Sequence, residues 1–163
     1  LGLEILEQAP ETDVVVCAVG GGGLCGGIAN IIKQLKPSCK VFAVEPEGAN
    51  SMTRSFLNGK PESAGKINTI ADSLSAPYAE KYSYSLCAQH VDGIVNVSDS
   101  EIKKAMLYCF NELKLVTEPA CAAAVAAIFG PLQPVLTGKS VTVVMCGSNI
   151  DFDTFLYKID HLL

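Results

Sequence analysis

The chain has 163 residues, of which 49% are hydrophobic, and its formal net charge is -5. This length and apolar content predict one ordinary domain with a sizeable core and argue against a disordered or fibrous protein. The 12 basic residues are scattered, which argues against a nucleic-acid-binding surface, and no apolar run approaches the roughly 18 residues of a membrane span.

The first part of the sequence predicts a strand, helix and strand in succession. Residues 1–10 have the pattern of the end of a helix without a starting cap. Residues 13–19 are short, β-branched and apolar, as expected of a strand covered on both faces. Four glycines follow, then a helical apolar pattern that stops at Pro37, then a second strand at 40–45. In a parallel sheet this order places the glycines at the carboxyl end of the first strand.

The second part continues the same alternation. Residues 92–97 predict a third strand, and Ser98 with Glu101 forms a capping box that opens a helix through about Lys114. The remaining predicted elements are an exposed loop at 58–68, a helix at 119–130, a last strand at 140–149 and a closing helix at 151–163. The predicted fold is therefore α/β, with about four parallel strands and flanking helices.

Cysteine usage indicates the redox environment. The seven cysteines are an odd number without C-x-x-C spacing, and most of them lie in apolar segments. They are Cys17, Cys25, Cys39, Cys87, Cys109, Cys121 and Cys146. This pattern favours buried, reduced thiols over a disulfide framework or a zinc site, and predicts a cytoplasmic protein.

The glycine run admits three interpretations. Gly21, Gly23 and Gly26 satisfy G-x-G-x-x-G, and Glu45 lies about 20 residues on, where the ribose-binding acid of a dinucleotide site would stand. Alternatively, the N–H groups from Gly20 to Leu24 surround a phosphate at the start of the helix. The third interpretation is a tight turn that allows close packing of the strand and the helix.

Several segments together resemble one enzyme family. In order along the chain they are "GLEILEQ", "VGGGGL", "VFAVEPEGA", "TIAD", "VSDSEI", "TEPACAAAVAA" and "VMCGSNID". Their order and spacing resemble those of the fold type II pyridoxal-phosphate enzymes, specifically the serine/threonine dehydratases and serine racemase. The resemblance covers nearly the whole chain and implies part of the large domain of that fold, the fold of the tryptophan synthase β chain.

The resemblance implies a set of cofactor contacts. The phosphate of pyridoxal 5'-phosphate would be bound by Gly20, Gly21, Gly22, Gly23 and Leu24. Cys146 would face the pyridine nitrogen and Glu118 would lie near the ring. Without the resemblance, Cys146 would be interpreted as a buried core thiol and Glu118 as an ordinary acid at a helix start. A neutral thiol leaves the ring a weaker electron sink than a carboxylate would, which favours rapid loss of a β-hydroxyl.

A cation site is also implied, by the segment "EPEGANS". Glu45 would supply a carboxylate, Ala49 a backbone carbonyl and Ser51 a third ligand. One carboxylate among neutral oxygens favours a monovalent ion such as potassium, whereas racemase-type members carry an aspartate at the position of Ser51. The alternative is a structural turn with Glu45 in a surface ion pair. Ser73 is a further departure, since the family usually has glycine there, near the substrate.

The largest departure is the lack of the S-x-K-x-R-G motif, which carries the Schiff-base lysine, and of the S-[GS]-N-H substrate loop. We therefore expect residues 1–163 to be the C-terminal, large-domain portion of an L-serine/L-threonine dehydratase that yields a 2-oxo acid and ammonia. Alone it should be inactive, because it needs the missing N-terminal half; the complete enzyme is expected to be a homodimer. The alternatives are serine racemase, or a noncatalytic domain that binds a phosphorylated ligand or a dinucleotide.

Overall fold

The secondary structure alternates between strands and helices over residues 1–160, the part of the chain that the computed structural model describes. Strands β1 to β4 span Val14–Ala18, Lys40–Pro46, Gly93–Val97 and Val141–Val143. Helices α1 to α8 span Gly2–Gln8, Gly23–Leu35, Ser51–Asn58, Lys81–His90, Asp99–Tyr108, Pro119–Phe129, Gln133–Leu136 and Phe152–Ile159. A 3-10 turn lies at Asp72–Leu74 and a π-helical turn at Cys109–Leu113.

The four strands form one parallel sheet in the order β3-β2-β1-β4. Val14 at the start of β1 pairs with Lys40 on one side and with Val141 on the other. Side chains alternate along β1, so that Val14 and Val16 belong to one buried cluster and Val15 to the other. Both faces of the sheet are therefore covered, and the predicted α/β fold is confirmed.

The helices divide between the two faces. Helices α1, α2 and α4 contribute to the cluster that contains Val15, and helices α5, α6 and α8 to the cluster that contains Val16. Helix α6 is built almost entirely of small residues and is buried over most of its length, which lets it lie close against β1 and its neighbours. No helix in residues 1–160 has the length and apolar character needed to cross a lipid bilayer.

Most predicted boundaries are confirmed, and the clearest error is the last strand. The strand predicted at 140–149 has only the three residues Val141–Val143, and the chain then continues as a loop in which Gly147 has a φ of +121°. The helix predicted through Lys114 ends in a π-helical turn. The part of the closing helix predicted at 161–163 lies outside the described residues.

Candidate active site

The sheet order places a crevice at the carboxyl ends of β1 and β4. From β1 the chain passes through α2 to β2 on one side, whereas β4 pairs with the other side of β1. Such a reversal of strand order leaves an opening between the loops that follow the two strands, and open α/β sheets bind ligands there. The glycine run follows β1 and the segment from Cys146 follows β4.

The glycine loop ends in a helix start without a side-chain cap. Helix α2 begins at Gly23, its N-cap Gly22 has a φ of +87°, and its first turn has no side-chain cap hydrogen bond within residues 1–160. The first helical hydrogen bond there runs from Gly26 N to Gly22 O, at 2.9 Å. A Cβ built on Gly21 or Gly23 would meet no atom within 4 Å. The first amides of α2 therefore border open space and can bind an anion.

Two other glycines of the run are needed for packing. A Cβ on Gly20 would lie 3.0 Å from Leu74 Cα, and one on Gly22 would lie 2.7 Å from Met52 Cε. The crowding at Gly20 and Gly22 accords with the tight-turn interpretation, and Gly21 and Gly23 have the free space that the phosphate interpretation needs. Leu24, also predicted to contact the phosphate, is exposed at the same helix start.

Glu118 stands at the N-cap of α6 and is attached to the loop after β4. Its backbone N–H donates to the Gly147 carbonyl oxygen at 3.1 Å, and its Oε1 accepts from the Asn149 backbone N–H at 2.7 Å. A Cβ on Gly147 would lie 3.3 Å from the Glu118 carboxyl carbon. The carboxylate therefore lies directly against the loop that contains Cys146.

Cys146 is the exposed member of the seven cysteines, and the other six are buried, as predicted for core thiols. The pKa of nearby Cys121 is raised to about 12, mainly by burial and to a smaller extent by Cys109, Cys146 and Glu118. Cys146 and Glu118 thus both raise the pKa of Cys121, which is consistent with their lying at one end of the sheet. The buried-core interpretation of Cys146 is wrong.

The 3-10 turn at Asp72–Leu74 connects the glycine loop with Glu118. On one side the Leu74 backbone packs against Gly20. On the other side Ser73 Oγ donates to Glu118 Oε2 at 3.1 Å. The turn therefore brings the segments after β1 and β4 into one site.

Glu45, at the end of β2, is fully buried. Its two carboxylate oxygens accept from the backbone N–H groups of Met52 (2.8 Å) and Thr53 (2.7 Å), in the first turn of α3. Burial raises the pKa of Glu45 to about 7, although these hydrogen bonds oppose the shift. The alternative in which Glu45 forms a surface ion pair is wrong. The dinucleotide interpretation also loses its ribose ligand, because this carboxylate caps a helix inside the protein.

The other two residues of the predicted cation site lie beside Glu45. Ala49 and Ser51 are each 1% exposed, and Ser51 Oγ has no hydrogen-bond partner within residues 1–160. A buried hydroxyl without a partner is unusual and is often explained by an ion or water. A carboxylate bound only by neutral donors, next to an unpaired hydroxyl, suits a cation with hard oxygen ligands.

Comparison with known proteins then identifies the family. The sequence profile of the family described as "Pyridoxal-phosphate dependent enzyme" matches residues 1–147. The chain belongs to this family. The residues present fit its cofactor, because the amides at the start of α2 border open space and a Cβ at Gly21 or Gly23 would occupy part of that space.

Individual relatives carry several activities. Phenylserine dehydratase from Ralstonia pickettii is 52% identical over 95% of this chain, and L-threonine ammonia-lyase from Thermotoga maritima is 38% identical over 93%. These matches cover 48% and 37% of the two relatives, so the chain spans about half of their length or less. Processed threonine deaminase isoform 2 from Solanum lycopersicum superposes with a TM-score of 0.92 at 31% identity, over 99% of this chain and 47% of that one.

The contact between Ser73 and Glu118 cannot be predicted from the sequence. In the sequence Ser73 is only a departure from the family glycine, and its hydrogen bond to Glu118 crosses 45 positions. The turn that carries Ser73 is held by Asp99, which accepts from Thr69 Oγ1 at 2.6 Å and from Ile70 N–H at 3.0 Å. No local sequence pattern predicts the contact of Ser73 with Glu118 or the contacts of Asp99 with Thr69 and Ile70.

Proposed function

We propose that residues 1–163 form the C-terminal, large-domain portion of a pyridoxal-phosphate-dependent ammonia-lyase that acts on β-hydroxy amino acids. The net reaction converts such an amino acid to a 2-oxo acid and ammonia. The observation that carries this proposal is the uncapped start of α2, with its open glycines, at the same end of the sheet as Glu118 and the Cys146 loop.

In this proposal the amides from Gly20 to Leu24 bind the phosphate of the cofactor, and Gly21 and Gly23 leave the room it needs. Cys146 contacts the pyridine nitrogen as a neutral group, and Glu118 lies beside the ring. When bound, the cofactor withdraws electrons from the amino-acid Cα and so makes the α-proton easier to remove. The lysine that anchors it would come from an N-terminal portion outside this chain.

The relatives support elimination as the reaction type and leave the substrate to be tested. Dehydratases and ammonia-lyases are among them, and so is serine racemase from Dictyostelium discoideum, at 36% identity. Racemisation is the second candidate function. It is disfavoured by Ser51, where the resemblance to racemases would require aspartate. Because the phenylserine dehydratase is 52% identical, a substrate with an aryl group on the β-carbon is tested together with serine and threonine.

We further propose that Glu45, the Ala49 carbonyl and Ser51 bind a potassium ion. The support is the buried Glu45 carboxylate with neutral donors and the unpaired Ser51 hydroxyl. In residues 1–160 no group of three or more histidine, cysteine, aspartate or glutamate side chains could hold a metal ion. Such a site would therefore rely on neutral oxygens around one carboxylate, which is the donor set of a monovalent ion.

The test uses the enzyme expressed with the N-terminal portion that its relatives possess. Cofactor binding is measured by visible absorbance, and L-serine, L-threonine and L-phenylserine are each assayed for 2-oxo acid, ammonia and the D-enantiomer. We expect equal amounts of 2-oxo acid and ammonia, stimulation by potassium and little D-amino acid. Racemisation faster than elimination would favour the second candidate, and absence of bound cofactor would overturn both.

A further inference from the structure

The turn at Asp72–Leu74 presents a side chain to Glu118 that the family resemblance does not supply. Ser73 stands where glycine is usual, so its hydroxyl adds a hydrogen-bond donor at this point of the site. That donor lies 3.1 Å from Glu118 Oε2, while the backbone N–H of Asn149 lies 2.7 Å from Oε1. Each carboxylate oxygen therefore has its own donor, from a different segment of the chain.

We infer that Ser73 is a positioning residue, which holds the Glu118 carboxylate in one orientation toward the cofactor ring. The inference rests on the proposed function, because it assumes that the ring lies beside Glu118 and Cys146. Two donors on separate oxygens fix the rotation of a carboxylate, which a single donor leaves free. Both donors are neutral, so Ser73 orients the negative charge of Glu118 without cancelling it.

The support of Ser73 is rigid enough for this role. Ser73 N–H donates to Asp72 Oδ1 at 2.9 Å, and Leu74 N–H donates to the Ala71 carbonyl oxygen at 3.0 Å. Ala71 is fully buried, and the Leu74 backbone lies against the glycine loop. The hydroxyl is thus presented by a turn that is fixed at both ends.

Other charged groups surround the same place. A cavity of about 200 Å³ is lined by Ser73 and Glu118 together with Asp72, Asp151 and Lys158. Lys158 directs its Nζ to the Ile70 carbonyl oxygen at 3.0 Å, and Asp151 caps the first turn of α8 through Thr154 N–H. These two side chains have their own partners, and within residues 1–160 the Ser73 hydroxyl is the side-chain group that donates to the Glu118 carboxylate.

The experiment compares Ser73→Ala with Ser75→Ala in the complete, cofactor-loaded enzyme. Both changes remove a hydroxyl from the same turn, but within residues 1–160 the Ser75 hydroxyl bonds only to the Ala71 backbone carbonyl. Loss of one hydrogen bond to a charged group should lower kcat about tenfold with little change in KM, and shift the pH midpoint of the cofactor absorbance downward by about one unit. The downward direction follows because a less well oriented carboxylate stabilises the protonated form of the bound cofactor less. Ser75→Ala should change neither quantity.

Two further variants separate positioning from a structural role. Ser73→Thr keeps the hydroxyl and should restore the midpoint. In a Glu118→Ala background, Ser73→Ala should have less than about a twofold further effect on kcat, because its target is gone. The inference is overturned by an unshifted midpoint in Ser73→Ala, by a loss of thermal stability alone, or by additive effects in the double variant. Failure of the wild-type enzyme to bind the cofactor would instead refute the proposed function.

Discussion

The two ends of the sheet use polar groups in opposite ways. At the amino end, Asp92 accepts from Lys33 Nζ at 2.6 Å, Lys40 Nζ at 2.9 Å and Val41 N–H at 2.8 Å. At the carboxyl end, the first amides of α2 have no side-chain cap, and the Ser51 hydroxyl has no partner within residues 1–160.

This difference separates what stabilises the fold from what binds ligands. Polar groups that satisfy one another add to stability without any other molecule, whereas groups left unpaired cost free energy until something binds them. The stability that the amino end contributes should therefore be independent of ligands and should vary with pH. The stability that the carboxyl end contributes should depend on whether the cofactor and the cation are bound.

The largest effect is expected at the glycine loop. Gly21→Val places a branched side chain in the open space in front of α2, so affinity for the cofactor should fall at least about 100-fold while much of the fold is retained. Equilibrium dialysis or absorbance titration with pyridoxal 5'-phosphate measures the loss, and circular dichroism measures the fold.

Gly27→Val is the matched control, because a Cβ at Gly27 also meets no atom within 4 Å but lies about one turn into α2, beyond its first amides. It should bind the cofactor like the wild type. Gly22→Val is a poor test, since that residue has positive φ and crowded surroundings and the fold itself would suffer. Normal affinity in Gly21→Val would rule out the phosphate cradle.

At the amino end, Asp92→Asn should destabilise the protein by about 2 kcal/mol at pH 7 and leave cofactor affinity unchanged. Burial raises the pKa of Asp92, but hydrogen bonds from Lys33, Val41 and Lys40 outweigh it and hold the pKa below its usual value. A depressed acid pKa stabilises the fold above the unfolded pKa, and the benefit is lost as the pH falls through the folded pKa.

Urea titrations of the apoenzyme at several pH values test this sign. The stability difference between the wild type and Asp92→Asn should be full at neutral pH and should shrink below about pH 4, the ordinary pKa of an aspartate. A difference that stays constant down to the acid limit would mean that the side chain acts through packing alone. A change in cofactor affinity would show that the two ends are not independent.

The sequence was sufficient to predict the elements that are marked by a pattern of neighbouring residues. The capping box of Ser98 and Glu101 is present as predicted. The Glu101 N–H donates to the Ser98 side chain, and the Ser98 N–H donates to the Glu101 side chain. Pro119 occupies the start of α6, and apolar β-branched runs became β1 and β2. These features depend on neighbours within a few residues, which is why they can be read from one sequence.

The rest depended on contacts between distant residues. Helix α4 has a weak apolar periodicity, and α3 begins without a cap from its own N-cap side chain, because Glu45 from the preceding strand binds its first amides. The strand predicted at 140–149 was too long because apolar residues continue past the last ladder contact. The pairing of Ser73 with Glu118 needs the sheet order, which no local pattern contains.

A smaller effect is expected at Cys146. Cys146→Ser should retain substantial dehydratase activity, because a hydroxyl makes the same neutral contact with the ring nitrogen. Cys146→Asp should favour the protonated ring and shift products about tenfold toward side reactions, since one pKa unit corresponds to about 1.4 kcal/mol. Stopped-flow absorbance and 2-oxo acid formation measure the two outcomes. Unchanged turnover in the aspartate variant would place Cys146 away from the ring nitrogen.

The effect whose sign depends on the buffer concerns Ser51. In a buffer whose only cation is bulky and organic, Ser51→Ala should be as stable as the wild type or more stable by up to about 1 kcal/mol, because it removes a buried hydroxyl that lacks a partner. Potassium should then stabilise the wild type by up to about 2.7 kcal/mol at 100 times its dissociation constant, and the alanine variant much less. The order of stability should therefore reverse with added potassium, as measured by thermal unfolding. Ser51→Asp adds a second carboxylate and should move the preference toward magnesium or calcium. If the order of stability is the same in both buffers, the Ser51 hydroxyl is not a cation ligand, and its unpaired state is a cost that the fold bears for some other reason.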